Sequence, residues 1–468
     1  MSVSLPPAPS LEHLRKQAKD LARAHRAGDA AALARVLEHH PHPAEPLKLS
    51  DAQLVIAREH GFRSWPRLRA YVERVAAHGP DLQHPYREDL DYYESRAFGL
   101  LSSAEDGTDG ALAVFARHGA PLTTAGSRLV IAREHGFETW TALRRHVAGM
   151  RDEGEPFARA YRAIEAHDID ELDALLDRFP ELAGARGTNR NDLLGMASGT
   201  CDERLVAVLL RHGADVARGN VHGWTPLHQA AYSDLPVMAR MLLDAGAPVD
   251  ASARGDGGTP LVVALFWGNR TTAELLAERG VHPRNLRAAA GLGRLDLIDE
   301  LVAPGGRLTS EAGAQRGFYR PHSGFPAWRS TDDPREILDE APAWAARNDR
   351  VEALDALAAR GAAVDADVYR GTPLAWAAAR AREAAIRRLV ALGADPDRRT
   401  TFGGPAHGEG VTALHLAAQS GHLDAIRALL DLGADPTVRD ALYDSTPAGW
   451  AEHGGKRAAR DLLRDRRG

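Results

Sequence analysis

Histidines and a single cysteine are the side chains of this sequence whose chemistry first suggests a metal site or a nucleophile. His39, His40 and His42 lie together beside prolines, and imidazoles at such short spacing could ligate a metal ion. The same spacing also suits a solvated helix end, which is the interpretation we favour. Cys201 is the only cysteine, and the two acidic residues that follow it raise the pKa of a thiol rather than activate it. We therefore predict no catalytic residue and no metal site at these positions.

Motifs of nucleotide-binding and hydrolytic enzymes are missing or broken. The segment 454–457, Gly-Gly-Lys-Arg, lacks both the spacing and the hydroxyl of a phosphate-binding GxxxxGK[ST] loop. The segment 291–296 is a broken GxGxxG, and neither GxSxG nor HExxH occurs. The sequence predicts no cofactor. It favours a protein that is not an enzyme, although an enzyme stays open as an alternative.

Charge and hydropathy argue against several other classes of protein. The 468 residues carry 58 Lys and Arg against 64 Asp and Glu, a formal net charge of −6. This near balance lacks the excess of positive charge that nucleic-acid binding domains usually carry, so we predict no nucleic-acid partner. No apolar run approaches the roughly 18 residues of a membrane span, and the N-terminus has no basic stretch followed by an apolar one. We therefore expect a cytoplasmic protein with no membrane partner, and a single cysteine fits a reducing compartment.

Internal repeats indicate the elements that must position any functional residue. The segment 54–62, Leu-Val-Ile-Ala-Arg-Glu-His-Gly-Phe, recurs identically at 129–137, which is 75 residues later. A second series begins with Thr-Pro-Leu-His at Thr225 and returns in related form at Thr259, Thr372, Thr412 and Thr446. Leucine-rich amphipathic stretches and stops of the Gly-Ala-Asp type follow these segments. A period near 33 residues indicates an array of stacked helical repeats.

The second series resembles the ankyrin repeat family, whose signature is Thr-Pro-Leu-His-x-Ala. This resemblance implies an all-α chain, an ankyrin repeat solenoid of stacked helix-turn-helix units with short β-turn fingers.

Arg supplies 54 of the 58 basic residues, which suggests the GC-rich coding of a bacterial source.

The repeats also divide the chain into four regions. The first of these regions is interpreted as diverged repeats, and the alternative for its residues 11–150 is a separate small helical domain. The predicted regions are diverged ankyrin-like helical repeats from a tandem duplication of period 75 at 1–150, ankyrin repeats at 151–306, an aromatic insert loop at 307–335, and ankyrin repeats with a C-terminal cap at 336–468.

The resemblance assigns roles to individual residues. It implies that His228 of Thr-Pro-Leu-His and His415 of the related Thr-Ala-Leu-His bond to turn backbone and take no part in catalysis. In the family, recognition residues occupy the tips of the β-turn fingers and the pair of positions that follows two alanines. The turn positions include His222, Trp224, Tyr369, Glu409 and Tyr443. The pair positions are Tyr232-Ser233, Phe266-Trp267, Arg380-Ala381 and Gln419-Ser420.

Four aromatic residues from adjacent units, Trp224, Tyr232, Phe266 and Trp267, could form one recognition patch. Exposed aromatic side chains in a groove are typical anchors for a partner. The alternative is that Phe266 and Trp267 pack beneath the aromatic insert as additional core, and the two interpretations are compatible.

Two functions are compatible with these features. The first is a protein–protein interaction module or scaffold that binds a protein partner on the concave surface of the repeats. The alternative is a small-molecule binding protein or enzyme, in which the insert at 304–335 folds over the groove and its segment 316–328 narrows it. Side chains able to exchange protons would then line the pocket. The polar residues predicted around a pocket floored by Trp267 are Arg320, His322, His407 and Glu409.

Overall fold

The fold consists of α-helices joined by short turns, as seen in a computed structural model. The described residues contain no strand, and three isolated antiparallel bridges join Arg186 to Asp192, Val302 to Leu308, and Thr400 to Val411. The predicted all-α class is confirmed. Within the described part of the chain, no helix has both the length and the hydropathy to cross a membrane. The structure describes residues 10–40, 43, 46–59, 65–66, 68–69, 72, 89–107, 109–151, 154–187, 190–253, 257–280, 284–317, 330–369, 371–401 and 410–465.

Two compact units divide the chain, the first formed by residues 1–230 and 240–247 and the second by 231–239 and 248–468. The helices of the first unit are α1 (Leu11–Arg26), α2 (Ala30–His39), α3 (Leu49–Glu59), α4 (Leu90–Glu105), α5 (Asp109–His118), α6 (Thr124–Glu134), α7 (Trp140–Gly149), α8 (Pro156–Ala166), α9 (Ile169–Arg178), a 3₁₀-helix (Pro180–Gly184), α10 (Leu193–Gly199) and α11 (Glu203–Arg211). The chain passes between the units within α12 (Pro226–Tyr232) and α13 (Pro236–Asp244).

The second unit is built from pairs of short helices. We call the leading helix of each pair a first helix and the other a second helix. The first helices are α14 (Pro260–Trp267), α16 (Leu286–Leu292), α18 (Pro334–Arg347), α20 (Pro373–Ala379), α22 (Ala413–Ser420) and α24 (Pro447–His453). The second helices are α15 (Arg270–Arg279), α17 (Leu295–Leu301), α19 (Val351–Ala359), α21 (Glu383–Ala391), α23 (Leu423–Asp431) and α25 (Arg457–Asp465).

The identical segments of the first unit begin in α3 and α6 and have the same structural role. Helices α1 to α3 contain 16, 10 and 11 residues, and α4 to α6 repeat these lengths. Arg58 Nη1 lies 2.6 Å from the carbonyl oxygen of His39, and Arg133 Nη1 lies 2.7 Å from that of His118. Each arginine donates to the last residue of the preceding helix, whose carbonyl oxygen has no donor within the helix. The repeated motif therefore caps a helix in each copy.

The Thr-Pro-Leu-His segments begin helices for reasons visible in their side chains. The Thr372 hydroxyl accepts a hydrogen bond from the first turn of α20, and Pro373 occupies the first helical position, where no N–H is required. His415 Nδ1 accepts a hydrogen bond from the Thr412 N–H at 3.2 Å, and its Nε2 lies 3.1 Å from the Ser445 carbonyl oxygen. His415 therefore bonds to turn backbone, as the resemblance implied.

Side chains in the turns between paired helices connect one pair to another. Each donates to carbonyl oxygens at the C-terminal end of an earlier first helix, where intrahelical donors are missing. The contacts run from Asn269 to Ala231 and Tyr232, from Arg350 to Gly291, from Arg382 to Arg347, and from His422 to Ala379. Repeats are thereby joined by polar bonds at this edge as well as by apolar packing.

Helix α18 departs from the pattern of the other first helices. It begins after Asp333, whose carboxylate accepts from the Arg335 N–H at 2.9 Å, and its 14 residues include Pro342. Glu340 takes the place that the capping threonine has in the other pairs and accepts a hydrogen bond from Arg316 Nε at 2.8 Å. Arg316 comes from the insert, so its described beginning is fixed to α18. Residues 318–329, which contain most of the segment predicted to fold toward Trp267, lie outside the described residues.

Burial of His415 makes the stability of the chain depend on pH. Burial lowers the pKa of this imidazole to about 4, whereas in an unfolded chain it is about 6.5. Between these values the unfolded state binds a proton that the folded state excludes, so stability rises with pH. We expect His415 to reduce the free energy of unfolding by about 2 kcal/mol between pH 7 and pH 5.

Urea unfolding at the two pH values measures this effect. The control is His415→Gln, because the side-chain oxygen of glutamine at this position can still accept a hydrogen bond from the Thr412 N–H at the helix cap. Its free energy of unfolding should change less with pH than that of the unmodified chain. An equal change in both proteins would contradict the assignment to His415.

Candidate functional site

Two predicted recognition residues lie together at the turn edge of the second unit. The rings of Tyr232 and Trp267 meet edge to face, with centroids 5.4 Å apart, and both side chains are half-buried. The Trp267 ring also meets Phe266 edge to face at 5.2 Å. Trp267 thus has fixed neighbours on its protein side and keeps an exposed surface. We call Tyr232, Trp267 and the adjoining turn residue Arg380 the turn-edge site.

Phe266 and Tyr369 lie in the core beneath this site. Phe266 is 2% exposed, and its ring centroid lies 6.1 Å from that of Tyr369 and within 6 Å of those of Trp344 and Trp376. Tyr369 is 8% exposed. These two residues therefore support the turn-edge site from below, which matches the core interpretation of Phe266.

A buried arginine occupies the centre of this aromatic cluster. Arg347 is 1% exposed and its guanidinium carbon lies 3.8 Å from the centroid of Trp376 and 4.8 Å from that of Phe266. Nη1 donates to the Phe266 carbonyl oxygen and Nε to the Ala343 carbonyl oxygen, both at 2.9 Å. Burial lowers the pKa of Arg347 to about 9, so the group remains charged at pH 7.

Sequence reasoning did not identify Arg347 as part of a site. Arg347 and Asn348 follow the paired alanines Ala345 and Ala346, so they occupy the pair positions of this repeat. Their position in the repeat could have identified them. This repeat lacks the Thr-Pro-Leu-His segment from which that position is counted, so the sequence analysis missed them.

The C-terminal end of α14 is bonded to turns far along the chain. Asn348 Nδ2 donates to the Leu265 oxygen at 2.8 Å, Arg382 Nη2 donates to the Gly268 oxygen, and Arg380 Nη2 donates to Asn269 Oδ1 at 2.9 Å. Helix α16 lies between α14 and α18 in the sequence but presents only alanine and glycine at 288–291. These small residues leave room for α14 and α18 to pack directly against each other.

Arg380 and Arg382 give the turn-edge site an excess of positive charge. Neither has a carboxylate within 4.0 Å among the described residues, and both bond only to neutral oxygens. Burial, and then the neighbouring charge of Arg382, lower the pKa of Arg380. Burial lowers the pKa of Arg382 against the opposing charge of Asp349, and the charge of Arg270 lowers it further. The arrangement suits a ligand that brings negative charge.

A second exposed aromatic residue is presented by a loop before α24. Tyr443 is 63% exposed and follows Leu442, which is 41% exposed. The buried carboxylate of Asp440 accepts hydrogen bonds from the N–H groups of Leu442, Tyr443 and Ser445 at 2.7–3.0 Å, and from Trp450 Nε1 at 3.0 Å. The loop is therefore ordered by its own hydrogen bonds. Leu442 and Tyr443 are exposed on a backbone that is already ordered, so no further backbone entropy is lost when they contact a partner.

The remaining predicted site residues do not join this site in the described structure. Trp224 lies in the first unit, where it is half-buried, donates from Nε1 to Gln229 Oε1 at 3.2 Å and lies 5.2 Å from the His228 ring. The predicted pocket residues outside the described residues are Arg320, His322, His407 and Glu409.

The described residues include a groove in the first unit but no cluster of potential metal ligands. They contain no group of three or more His, Cys, Asp or Glu side chains placed to hold a metal ion. A shallow groove of about 360 Å³ in the first unit is lined by Phe98, Leu101, Glu94 and Arg128, among others. Its two charged groups pair with each other, with Arg128 Nε 2.8 Å from Glu94 Oε2.

Comparison with known proteins agrees with this geometry. The family model for ankyrin repeats, in three copies, matches residues 193–287 and 343–440. The unmatched residues between these stretches include most of α16, the insert and the first part of α18, where the structure departs from regular repeats.

Two relatives illustrate the similarity. "Ankyrin repeat and KH domain-containing protein 1" of Homo sapiens is 36% identical over 96 residues, covering 20% of this chain and 4% of that protein. "Protein phosphatase 1 regulatory subunit 27" of Mus musculus is 44% identical over 55 residues, covering 12% of this chain and 35% of that protein. The chain therefore spans about a third of the length of one relative and a much smaller share of the other.

The close approach of Gly268 to α18 can be tested with a matched pair of variants. Gly268 has φ +66°, and a Cβ added there would overlap the Arg347 carbonyl oxygen. Gly421 has φ +74°, but a Cβ there would meet only the flexible side chain of Lys456 at 3.0 Å. Both Gly→Ala changes should lose about 1 kcal/mol to backbone strain. Gly268→Ala should lose about 1–3 kcal/mol more, because a packed backbone must move.

Thermal or urea unfolding of the two variants measures this difference. Equal losses in Gly268→Ala and Gly421→Ala would show that α14 does not approach α18 closely in solution.

Proposed function

Because this chain is an ankyrin repeat protein, we propose that it binds a protein partner through its second unit, at the turn-edge site. The observation that carries the proposal is the half-buried Trp267 ring, which keeps an exposed surface and is held against Tyr232 and Phe266. Tryptophan, tyrosine and arginine are the residues that most often dominate binding at interfaces. A ring that is already fixed loses little conformational freedom when it binds.

The loop that carries Leu442 and Tyr443 supports the same proposal. Its tyrosine is exposed, and four hydrogen bonds to Asp440 hold the loop in place. An exposed apolar side chain on an ordered loop can bury surface against a partner without a large entropic cost. We therefore include this loop as a second contact on the same unit.

The similarity to known proteins supports the class of function. The name of one relative describes a regulatory subunit of a phosphatase, which is a protein that acts together with another protein. We do not transfer that partner, because the similarity covers 12% of this chain. The alternative of a small-molecule binding protein or enzyme depends on Arg320, His322, His407 and Glu409, so it receives no support from the described residues.

A binding experiment with two single-residue variants tests the proposal. The immobilised full chain would capture partners from the lysate of its source organism, and the captured protein would then be purified for affinity measurement. Trp267→Ala should weaken its binding at least tenfold, because truncating a central aromatic anchor commonly costs about 2 kcal/mol. The free energy of unfolding of this variant should fall by less than its free energy of binding.

The matched control is Phe98→Ala, which removes an aromatic side chain that is 76% exposed on the first unit. It should bind like the unmodified chain. If Trp267→Ala keeps full affinity while Phe98→Ala loses it, the partner binds the first unit and the proposed site is wrong.

A further inference from the structure

Around the turn-edge site cationic groups outnumber anionic ones, and the neighbouring carboxylates of Asp234 and Asp349 are already engaged. Asp234 Oδ1 accepts hydrogen bonds from the Thr272 hydroxyl at 2.8 Å and from the Thr272 backbone N–H at 3.4 Å. Asp349 Oδ1 accepts from the Ala385 N–H at 3.1 Å, and its Oδ2 lies 3.7 Å from Arg270. These carboxylates are bonded to helix ends and Arg270. The charge of Asp234 still acts on Arg380 and Arg382, and that of Asp349 on Arg382, but neither arginine is paired with a carboxylate, and both bond to neutral oxygens.

Arg380 has most of its hydrogen-bonding capacity unused. A guanidinium group carries five N–H donors, and the described partner of Arg380 is the Asn269 side-chain oxygen alone. Its Nε is shielded from solvent and has no acceptor in the described structure. A buried donor without an acceptor costs free energy, so an anion that draws the side chain outward would recover that cost.

Apolar surface adjoins this cation. Trp267 and Tyr232 are half-buried beside it, and a Cβ built at Gly268, the neighbour of Trp267, would lie 3.4 Å from Arg380 Nε. Lys456 and His422, from later turns, add cationic and hydrogen-bonding groups nearby, since the charges of Arg380 and Lys456 both act on His422. A ligand that fits combines an oxyanion with an adjacent apolar group.

We propose that the turn-edge site binds an oxyanion carried by a side chain of the partner protein, either a carboxylate or a phosphate, with Arg380 as its principal donor. This inference rests on the proposed function, because it specifies the chemistry of the same partner. The planar guanidinium can donate two parallel hydrogen bonds to either group. The Trp267 ring then contacts the apolar part of the segment that bears the anion.

Titration with inorganic phosphate and with acetate tests the proposal on the full chain. Each anion replaces chloride at constant ionic strength, and the Nε–Hε signal of Arg380 is followed by NMR after selective ¹⁵N-arginine labelling. We expect a saturable shift of this signal, and a rise in the unfolding temperature that saturates at the same concentration. Arg380→Gln assigns the signal and should abolish the anion-dependent rise.

The control is Arg387→Gln, which removes an exposed arginine from the neighbouring helix α21, where it is paired with Glu383 at 2.8 Å. It should keep the full response. Saturation at a lower concentration of phosphate than of acetate identifies a phosphorylated partner, and saturation by acetate at an equal or lower concentration identifies a carboxylate. No saturable shift, or an equal rise in unfolding temperature for Arg380→Gln, would overturn the oxyanion site.

These outcomes are separable from those of the partner experiment. If anions fail to bind while Trp267→Ala still loses the partner, the oxyanion site is wrong and the proposed function stands. If phosphate binds at Arg380 while Trp267→Ala keeps the partner, the anion site stands and partner binding at this surface is wrong.

Discussion

A short α-helix leaves its last four carbonyl oxygens without intrahelical donors, and in a helix of seven or eight residues these are about half of all its carbonyls. Most first helices of the second unit have this length. Their ends are buried, so each oxygen needs a donor from elsewhere in the chain. The turn residues Asn269, Asn348, Arg350, Arg382 and His422 supply many of these donors.

The use of arginine for this task has consequences beyond stability. Asparagine satisfies a carbonyl without adding charge, whereas arginine brings a cation with it. Arg347 is the extreme case, because its charge is buried among rings that stabilise it through cation–π contacts. Arg380 and Arg382 extend the same chemistry to the surface, where the positive charge is left beside Trp267. The bonds that close the turn edge thus create the conditions for anion binding.

Much of the fold could be predicted from the sequence because its signals are local. The related segment Thr-Ala-Leu-His at 412–415 gives the cap, the first helical residue and the histidine contact of α22, which depend on positions a few residues apart. The environment of Arg347 depends instead on the absence of large side chains at 288–291, which lets α14 reach α18 across an intervening helix. Such a contact joins residues about 80 positions apart, as between Phe266 and Arg347, and has no local signature.

The candidate site was predicted in part for the same reason. Repeat register identified Tyr232, Trp267 and Arg380 as pair positions but placed only Tyr232 and Trp267 in adjacent units, whereas the structure brings Arg380 to the same edge. Register did not show that Phe266 and Tyr369 turn inward, because burial depends on what packs above them. The boundaries at 1–150 and 307–335 stay predictions, since neither the family match nor the described residues of the insert test them.

Hydrogen exchange at the Arg347 guanidinium tests most directly whether buried arginine–carbonyl bonds hold this edge together. In a ¹⁵N-arginine-labelled chain at pH 7, its Nε–H and Nη1–H protons should exchange with solvent far more slowly than those of exposed Arg387, because both donate to buried carbonyl oxygens. Exchange at the rate of Arg387 would contradict the burial of this group and, with it, the bonding of α14 to α18.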